Sequence, residues 1–319
     1  MTRLTDEEFL ELWKEHKSVT AISKVTGYAI RSLNRKRRKI EETKNTVLVA
    51  QNSFVGREHP SRKILGIENG TVIVFSDAHF WPGIHTTAYH GLIWAIKEFA
   101  PKAVIANGDV FDGAGISRHP RIGWDSTPSV IQELKACEIA LGEIEETAKA
   151  ARHNVRLIWP LGNHDARFEN MLAAHAPQYE HVKGFSLKDH FPAWEPCWSA
   201  WPTDNICVKH RWKGGIHATH NNALASGVSM VTGHLHSLKV TPYSDYNGTR
   251  YGVDTGTLAE PSGPQFSNYT EDSPLNWRSG FAVLTIHNGQ LLVPELVQVW
   301  NNDSVQFRGQ IVKVKNDKL

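Results

Sequence analysis

Five short apolar runs stand out in the hydrophobic pattern, and each is followed by Asp, Asn or His. The runs are Val72–Phe75, Ala103–Ala106, Val155–Trp159, Ile206–Val208 and Val228–Val231. Short apolar runs closed by glycine and polar residues are typical of buried strands. After the first three runs, apolar residues recur with helical spacing over Thr87–Phe99, Ser129–Arg152 and a segment through Phe168. The pattern predicts three β-loop-α units and therefore a parallel sheet.

The second of these helices has six candidate core residues. They are Ile131, Leu134, Cys137, Ile139, Leu141 and Ile144. Further along, strands and turns alternate over Arg250–Asp254, Phe281–Ile286 and Leu291–Val299, which predicts a second, largely antiparallel sheet. Between these parts lies an irregular, Pro-broken segment that carries Trp194, Trp198 and Trp201. These tryptophans either line a cleft or pack a satellite core.

The first 45 residues predict a small helical domain with a basic third helix. Thr5-Asp6-Glu7-Glu8 matches a capping box, and Gly27 ends a short second helix. The third helix starts near Tyr28 and carries Arg31, Arg35, Lys36, Arg37, Arg38 and Lys39. Residues 1–45 hold eleven Lys or Arg and seven acidic residues, a net charge of +4, against about −2 for the rest of the chain.

This arrangement of three short helices, with a glycine turn before the basic one, resembles a helix-turn-helix module. It predicts nucleic acid as a partner. The alternative is a solvated helical appendage that packs on the main domain or mediates assembly.

Residues 46–63 mix polar, glycine and charged positions and predict a linker with one short strand at Val47–Val49. The main domain would then span residues 64–319. Asn69-Gly70 favours a tight turn, which predicts an opening hairpin between Ile64–Ile67 and Val72–Phe75.

Composition limits the class of protein further. The 319 residues, 40% of them hydrophobic, suffice for one large domain with an appendage or for two domains. No apolar run is long enough to cross a bilayer, and the N-terminus lacks the apolar region of a secretory signal. The three cysteines, Cys137, Cys197 and Cys207, match no zinc or redox spacing and are odd in number. We therefore expect a cytoplasmic protein without a membrane partner.

Residues with metal-binding side chains follow the apolar runs in four short motifs. The motifs are Ser76-Asp77-Ala78-His79, Gly108-Asp109-Val110-Phe111-Asp112, Gly162-Asn163-His164-Asp165 and Gly233-His234-Leu235-His236. Sites in open α/β sheets form at the carboxyl ends of strands, where carboxylate, imidazole and amide groups can bind divalent cations. The pattern predicts a metal site. His234 and His236 are two positions apart and would point the same way in an extended segment.

In this order, D-x-H, G-D-x-x-D, G-N-H-D and G-H-x-H resemble the motifs of the calcineurin-like metallophosphoesterase family, and they cover about half the chain. The resemblance implies an α/β (α+β) fold of two facing mixed β-sheets flanked by helices, the αββα sandwich, here joined to the small N-terminal helical domain. It also implies hydrolysis of phosphate esters by hydroxide that two divalent metal ions activate. Mn²⁺ is preferred, with Fe, Zn, Ni or Mg as alternatives.

The resemblance also assigns seven metal ligands. One metal would be held by Asp77, His79 and His236, the other by Asn163, His234 and a further histidine, and Asp109 would bridge both.

The further histidine is open among His210, His217 and His220. His210 is preferred because it follows the run Ile206–Val208 directly, although Arg211 stands where the family often has glycine. His217 is the alternative, because it follows the glycine-containing segment Gly214-Gly215-Ile216.

Four other residues have expected roles around the metals. His164 matches the family's histidine that protonates the leaving group, and Asp112 is placed to orient it. Asp165 is expected to hold the loop. Arg167 either reaches a phosphoryl oxygen or forms a surface salt bridge at a helix start.

The substrate is the open question at this stage. Diester cleavage of nucleic acid fits the basic third helix. A phosphomonoesterase acting on phosphoprotein or small phosphates is the alternative, and it is weakened because Gly113 stands where protein Ser/Thr phosphatases have Arg-Gly. A DNA-binding protein with a silent phosphoesterase domain is a third hypothesis, which the intact metal motifs and His164 oppose.

Overall fold

The computed structural model describes residues 4–44, 48, 59–117, 127–266 and 275–314. The chain divides into two compact units, Met1–Glu58 and His59–Leu319. The expected linker, residues 46–63, spans the boundary between them. The predicted strand Val47–Val49 lies outside the described residues, apart from Leu48.

The first unit contains three helices, α1 (Asp6–His16), α2 (Val19–Thr26) and α3 (Ile30–Thr43). The predicted capping box is present: Thr5 Oγ1 accepts from the Glu8 N–H (3.2 Å), and Glu8 Oε2 accepts from the Thr5 N–H (2.7 Å). Gly27 ends α2 with a left-handed φ of 72°. One buried apolar cluster holds the helices together, and it consists of Phe9, Trp13, Ile22, Leu33 and Ile40.

The second unit contains two sheets with helices around them. Its helices are α4 (Thr87–Phe99), α5 (Val130–Ala151), α6 (Asp165–His175), α7 (Leu187–His190) and α8 (Ala218–Ser226). Its strands are β1 (Lys63–Ile64), β2 (Gly70–Phe75), β3 (Ala103–Ala106), β4 (Arg156–Pro160), β5 (Glu195–Cys197), β6 (Ala200–Thr203), β7 (Ile206–Val208), β8 (Ser229–Thr232), β9 (Lys239–Asp245), β10 (Gly248–Asp254), β11 (Gly280–His287), β12 (Gln290–Leu291), β13 (Glu295–Val299), β14 (Ser304–Phe307) and β15 (Gln310–Lys313). No described helix is both long and apolar enough to cross a bilayer.

Within the described residues, the large sheet has nine strands in the order β15-β14-β13-β11-β2-β3-β4-β5, with β12 paired to β11. Strands β2 to β5 run parallel, as the β-loop-α pattern predicts. The small sheet has the order β1-β6-β7-β8-β10-β9. The predicted fold class, two mixed sheets flanked by helices, is therefore confirmed.

Alternation along β2 shows how the layers pack. Ile73 and Phe75 point into an apolar cluster shared with α4 and α5, while Val72 and Val74 point into a second cluster shared with the small sheet. Successive strand residues face opposite sides, so one strand contributes to both cores. Trp194 is 2% exposed and packs edge-on against Phe75, so it belongs to the first core.

Two strand predictions were wrong. The Asn69-Gly70 turn closes no hairpin, because β1 pairs in parallel with β6 of the small sheet and β2 lies in the large sheet. The C-terminal strands form no second antiparallel sheet either. β11 pairs antiparallel with β2 and extends the large sheet, since its side chains are apolar on both faces. The small sheet is mixed, with the pairs β7/β8 and β8/β10 parallel.

The predicted core face of α5 was wrong at two positions. Leu134, Cys137 and Ile144 are buried as expected, whereas Ile131 and Ile139 are 60% and 63% exposed. These two residues lie on the other side of the helix.

Candidate metal centre

The seven predicted ligands lie at the carboxyl ends of strands from both sheets. They are Asp77 and His79 after β2, Asp109 after β3, Asn163 after β4, His210 after β7, and His234 and His236 after β8. Because β2, β3 and β4 are parallel neighbours, and so are β7 and β8, these ends meet at one edge of the sandwich.

Six of these side chains form two groups in which the candidate ligand atoms lie within 4.8 Å of one another. The first group is Asp77, His79 and His236, and the second is Asp109, His210 and His234. His210 links the groups, since its Nε2 lies 3.1 Å from Asp109 Oδ2 and 4.0 Å from Asp77 Oδ1. The structure thus brings His210 into the cluster. His217 and His220 are exposed, at the start of α8 and within it.

The donor set fits a divalent metal centre. Asn163 Oδ1 and His236 Nδ1 are buried and have no hydrogen-bond partner among the described residues. Buried polar atoms nearly always have a partner, so such atoms at a cluster of this kind suit coordination of a cation. Carboxylate oxygens, imidazole nitrogens and an amide oxygen together are typical ligands of Mn²⁺, Fe²⁺ and Zn²⁺.

The electrostatics of the cluster also favour a cation. Burial would raise the pKa of Asp77, but His236 and His210 lower it to about 2. Burial would lower the pKa of His210, but the charges of Asp109 and Asp77 raise it to about 10. The negative charge that raises the pKa of His210 also favours a metal ion, and a metal would replace the proton.

Most of the ligands have left-handed backbones. The φ values are 52° at Asp77, 40° at His79, 54° at Asp109, 70° at His234 and 55° at His236. Such residues cost roughly 1–3 kcal/mol each and persist where the surrounding structure fixes them. The segment around His234 is therefore not extended, so the condition under which His234 and His236 would point the same way is not met. Their rings belong to different ligand groups.

The glycines of the motifs allow the ligands to approach the backbone. A Cβ on Gly162 would overlap the carboxylate of Asp109, and one on Gly233 would overlap that of Asp77. Neither glycine has a positive φ, so close approach is the reason for glycine at both positions.

Asp165 ties the loops after β3 and β4 together. Its carboxylate accepts hydrogen bonds from the backbone N–H of Asp109 (2.9 Å), Val110 (3.0 Å), Phe111 (3.1 Å) and Gly162 (2.9 Å), and from Trp159 Nε1–H (3.0 Å). Asp165 is 1% exposed, and burial together with the charge of Asp109 raises its pKa to about 6. This position supports a loop-holding role rather than contact with a substrate.

Asp112 orients two imidazoles, of which the sequence predicted one. Its Oδ1 lies 2.7 Å from His79 Nδ1 and 3.1 Å from His164 Nδ1. A carboxylate behind a ligating histidine fixes the ring and its tautomer. Asp112 thereby couples a predicted metal ligand to the predicted acid.

Arg167 lies against His164 rather than in a surface salt bridge. Its Nη1–H donates to the Asp112 carbonyl (3.1 Å), and its Nη2–H donates to His164 Nε2 (3.0 Å). A guanidinium only donates, so this contact assigns the His164 proton to Nδ1. Burial lowers the pKa of His164, but Asp112 and Asp109 outweigh burial and raise it. The ring can carry a second proton once Arg167 leaves Nε2.

Two buried acids brace the motif loops. Glu133 of α5 accepts from the N–H groups of Gly113 and Ala114, both at 3.0 Å. Asp254 accepts from the Ser237 N–H at 3.0 Å. Asp254 is the last residue of the predicted strand Arg250–Asp254, and an acid at a strand end is a signal in the sequence. Glu133 carries none, because an acid in the first turn of a helix is ordinary.

Comparison with known proteins agrees with this geometry. The model of the calcineurin-like phosphoesterase family matches residues 70–251, more than half of the chain. The chain belongs to this family. This calcineurin-like phosphoesterase is therefore a hydrolase that acts on phosphoric esters. The family uses divalent metals, and the Asp/His groups described above provide the residues for a metal site.

The phosphoesterase is also similar to two phage proteins. It is 28% identical over 256 residues to the Gene 54 protein of Mycobacterium phage L5, and 24% identical over 259 residues to the Gene 54 protein of Mycobacterium phage D29. Each match covers 72% of this chain and 93% of the phage protein.

Proposed function

We propose that this phosphoesterase is a Mn²⁺-dependent phosphodiesterase that acts on nucleic acid, with one cation in each ligand group. The observation that carries the choice of substrate is the exposed basic face of α3. Arg31, Arg35 and Arg38 are exposed and spaced by four and three residues, so they share one side of the helix. A row of exposed arginines is typical of a surface that binds phosphates.

The other basic residues of α3 differ from this face because they have partners within the unit. Lys36 Nζ pairs with Asp6 Oδ1 at 2.7 Å. Arg37 pairs with Glu41 at 3.0 Å, and its guanidinium lies 4.8 Å from the Trp13 ring. These two cations are satisfied within the unit, whereas the exposed arginines are available to a polyanion.

The connection before α3 supports a helix-turn-helix arrangement. Helices α2 and α3 are separated by three residues, and the first of them, Gly27, is left-handed. A short glycine turn between two helices, with a basic second helix, is the arrangement that places a recognition helix in a DNA groove.

The catalytic contribution of the chain follows from the contacts around His164. Two divalent cations, when bound, supply charge neutralisation on the phosphoryl oxygens and an activated water. Arg167 binds a phosphoryl oxygen through its fork and so releases His164 Nε2. His164 then donates a proton from Nε2 to the leaving oxygen, while Asp112 holds the ring through Nδ1.

The test is hydrolysis by the full chain with Mn²⁺. We expect phosphodiesters to be cleaved faster than the monoesters p-nitrophenyl phosphate and phosphopeptides. The diesters to be assayed are bis(p-nitrophenyl) phosphate, single-stranded DNA, double-stranded DNA and RNA, and at least one of the nucleic acids should be cleaved. Asp109→Asn should remove activity and most of the bound metal, because Asp109 is the ligand that would bridge both cations, while circular dichroism stays unchanged. Faster hydrolysis of the monoesters would establish a phosphomonoesterase instead. Trace metal only, without activation by Mn, Fe, Zn or Ni, would contradict the binuclear centre.

A further inference from the structure

An aromatic pair lies against the imidazoles of the first ligand group. The ring centroid of Phe266 is 5.1 Å from that of His79 and 5.4 Å from that of His236. The indole of Trp277 is 4.4 Å from His236 and 5.0 Å from Phe266. Neither aromatic residue belongs to a metal motif. Together they line one side of the candidate metal centre.

The two rings differ in exposure. Phe266 is 3% exposed and is a packing residue behind the imidazoles. Trp277 is only half-buried, although His236 and Phe266 both contact it. An indole that stays partly accessible beside a polar centre has apolar surface that a bound flat ring can cover.

Backbone hydrogen bonds fix Trp277 relative to the ligands. The next residue, Arg278, donates its N–H to the His236 carbonyl (2.8 Å) and accepts from the Thr257 N–H (3.1 Å). Thr257 Oγ1–H in turn donates to the Asp77 carbonyl (2.7 Å). The indole is therefore tied to the backbone that carries Asp77 and His236. Its position relative to a phosphate held at the centre is set by the fold.

We propose that Trp277, backed by Phe266, is a stacking subsite for the nucleobase next to the scissile phosphate of a single strand. This inference rests on the proposed function and names the part of the substrate that the catalytic unit recognises. Every nucleobase has a flat face, so stacking on an indole binds a strand with little regard to sequence. Arg278 is exposed beside Trp277, with Nη1–H donating to Asn276 Oδ1 (2.9 Å), and adds a positive charge for the strand backbone.

The test compares two diesters that share a leaving group and differ only in the base. They are thymidine 5′-(p-nitrophenyl phosphate) and its abasic 1,2-dideoxyribose analogue, assayed with the full chain and Mn²⁺. We expect KM of the parent to be about tenfold lower for the thymidine ester, the range typical of one stacked base. Trp277→Leu should raise KM for the thymidine ester about tenfold and leave the abasic ester and both kcat values near the parent. Trp277→Phe should keep most of the difference.

Trp300→Leu is the matched control, because Trp300 is 62% exposed in the turn between β13 and β14. Equal KM values for both esters in the parent would overturn the subsite and leave the phosphodiesterase standing, and this comparison needs no variant. An equal loss on both esters in Trp277→Leu would overturn it too, since that result describes a support for His236. Absence of hydrolysis of any diester by the parent would instead overturn the proposed function, and the subsite with it.

Discussion

At the scale of single residues, the candidate centre depends on side chains that serve several partners at once. Asp112 contacts two imidazoles, and Asp165 accepts four hydrogen bonds from the backbone of two loops and a fifth from the Trp159 indole of β4. Gly162 and Gly233 contribute by having no side chain, since any side chain there would displace a ligand carboxylate. The positions of the candidate ligands therefore depend on the loops that hold them.

Changing His164→Ala tests its role as the acid. We expect turnover of alkyl phosphodiesters to fall by about 10² to 10³, because a poor leaving group needs the proton. Turnover of p-nitrophenyl esters should fall by less than about tenfold, since that group leaves without one. Metal content should stay near the parent value. His175→Ala, at the exposed end of α6, is the control, and equal losses on both ester classes would assign His164 to positioning or metal binding.

Changing Asp165→Asn tests the bridge between the loops. An amide has one acceptor oxygen, and its NH₂ would face a backbone N–H, so buried donors lose their partner. We expect the free energy of unfolding in urea to fall by about 2–4 kcal/mol, since each unsatisfied buried donor costs about 1–3 kcal/mol. Asp204→Asn, in the exposed turn between β6 and β7, is the matched control. Equal stability of the two variants would show that the loops do not depend on this carboxylate.

At the scale of elements, the same kind of side chain has different roles on two sides of one helix. Lys36 and Arg37 fasten α3 to α1 and to its own last turn, whereas Arg31, Arg35 and Arg38 are exposed. The net charge of the segment does not distinguish the paired basic residues from the exposed ones. The orientation of α3 distinguishes them, because its core residues fix which side of the helix faces outward.

Replacing Arg31, Arg35 and Arg38 together by Gln tests the exposed face of α3. We expect weaker binding to DNA and RNA, and a slope of log K against log salt that is shallower by about 2 to 3, because three phosphate contacts are lost. Hydrolysis of bis(p-nitrophenyl) phosphate should not change. Replacing the exposed Lys14, Lys24 and Lys44 by Gln removes the same charge and is the control. If both triple variants bind as the parent does across a salt titration, the segment is an assembly or packing element.

At the scale of the whole molecule, the second unit places its candidate centre where two sheets end together. The apolar cluster between the sheets includes residues of both, such as Val72 and Val231. Each ligand group also takes residues from both sheets, so packing of the layers sets the geometry within each group. The geometry of the site also depends on the helical layer, through Glu133 of α5. Glu133 is fully buried and holds the loop that follows Asp112.

The raised pKa of the Glu133 carboxyl should be visible in the pH dependence of global stability. Burial and the charge of Asp112 raise its pKa from 4.5 to about 7 in the folded protein. A raised folded pKa means that its stabilising contribution is complete below about pH 4.5 and is lost as the pH rises through 7. The unfolding free energy of the parent minus that of Glu133→Gln should therefore fall between pH 5 and 8, by about 2–3 kcal/mol. Glu146→Gln, exposed on the same helix, should show no such trend, and a flat difference for Glu133→Gln would contradict the raised pKa.

The sequence by itself determined the parallel units, the helices α1 to α6 and which residues are candidate metal ligands. Apolar runs such as Val72–Phe75 and the glycine-flanked motifs after them are local patterns, and local patterns fix strand ends and helix starts. The capping box at Thr5 and the helix Thr87–Phe99 were predictable for the same reason.

Only the tertiary structure decided how these pieces meet. It joined β11 to β2 rather than to a second antiparallel sheet, and it brought His210, rather than His217 or His220, to Asp109. It also placed Trp277 against His236. Each of these depends on contacts between residues far apart in the chain, whose formation is settled by the packing of whole layers and leaves no periodic signal in the sequence.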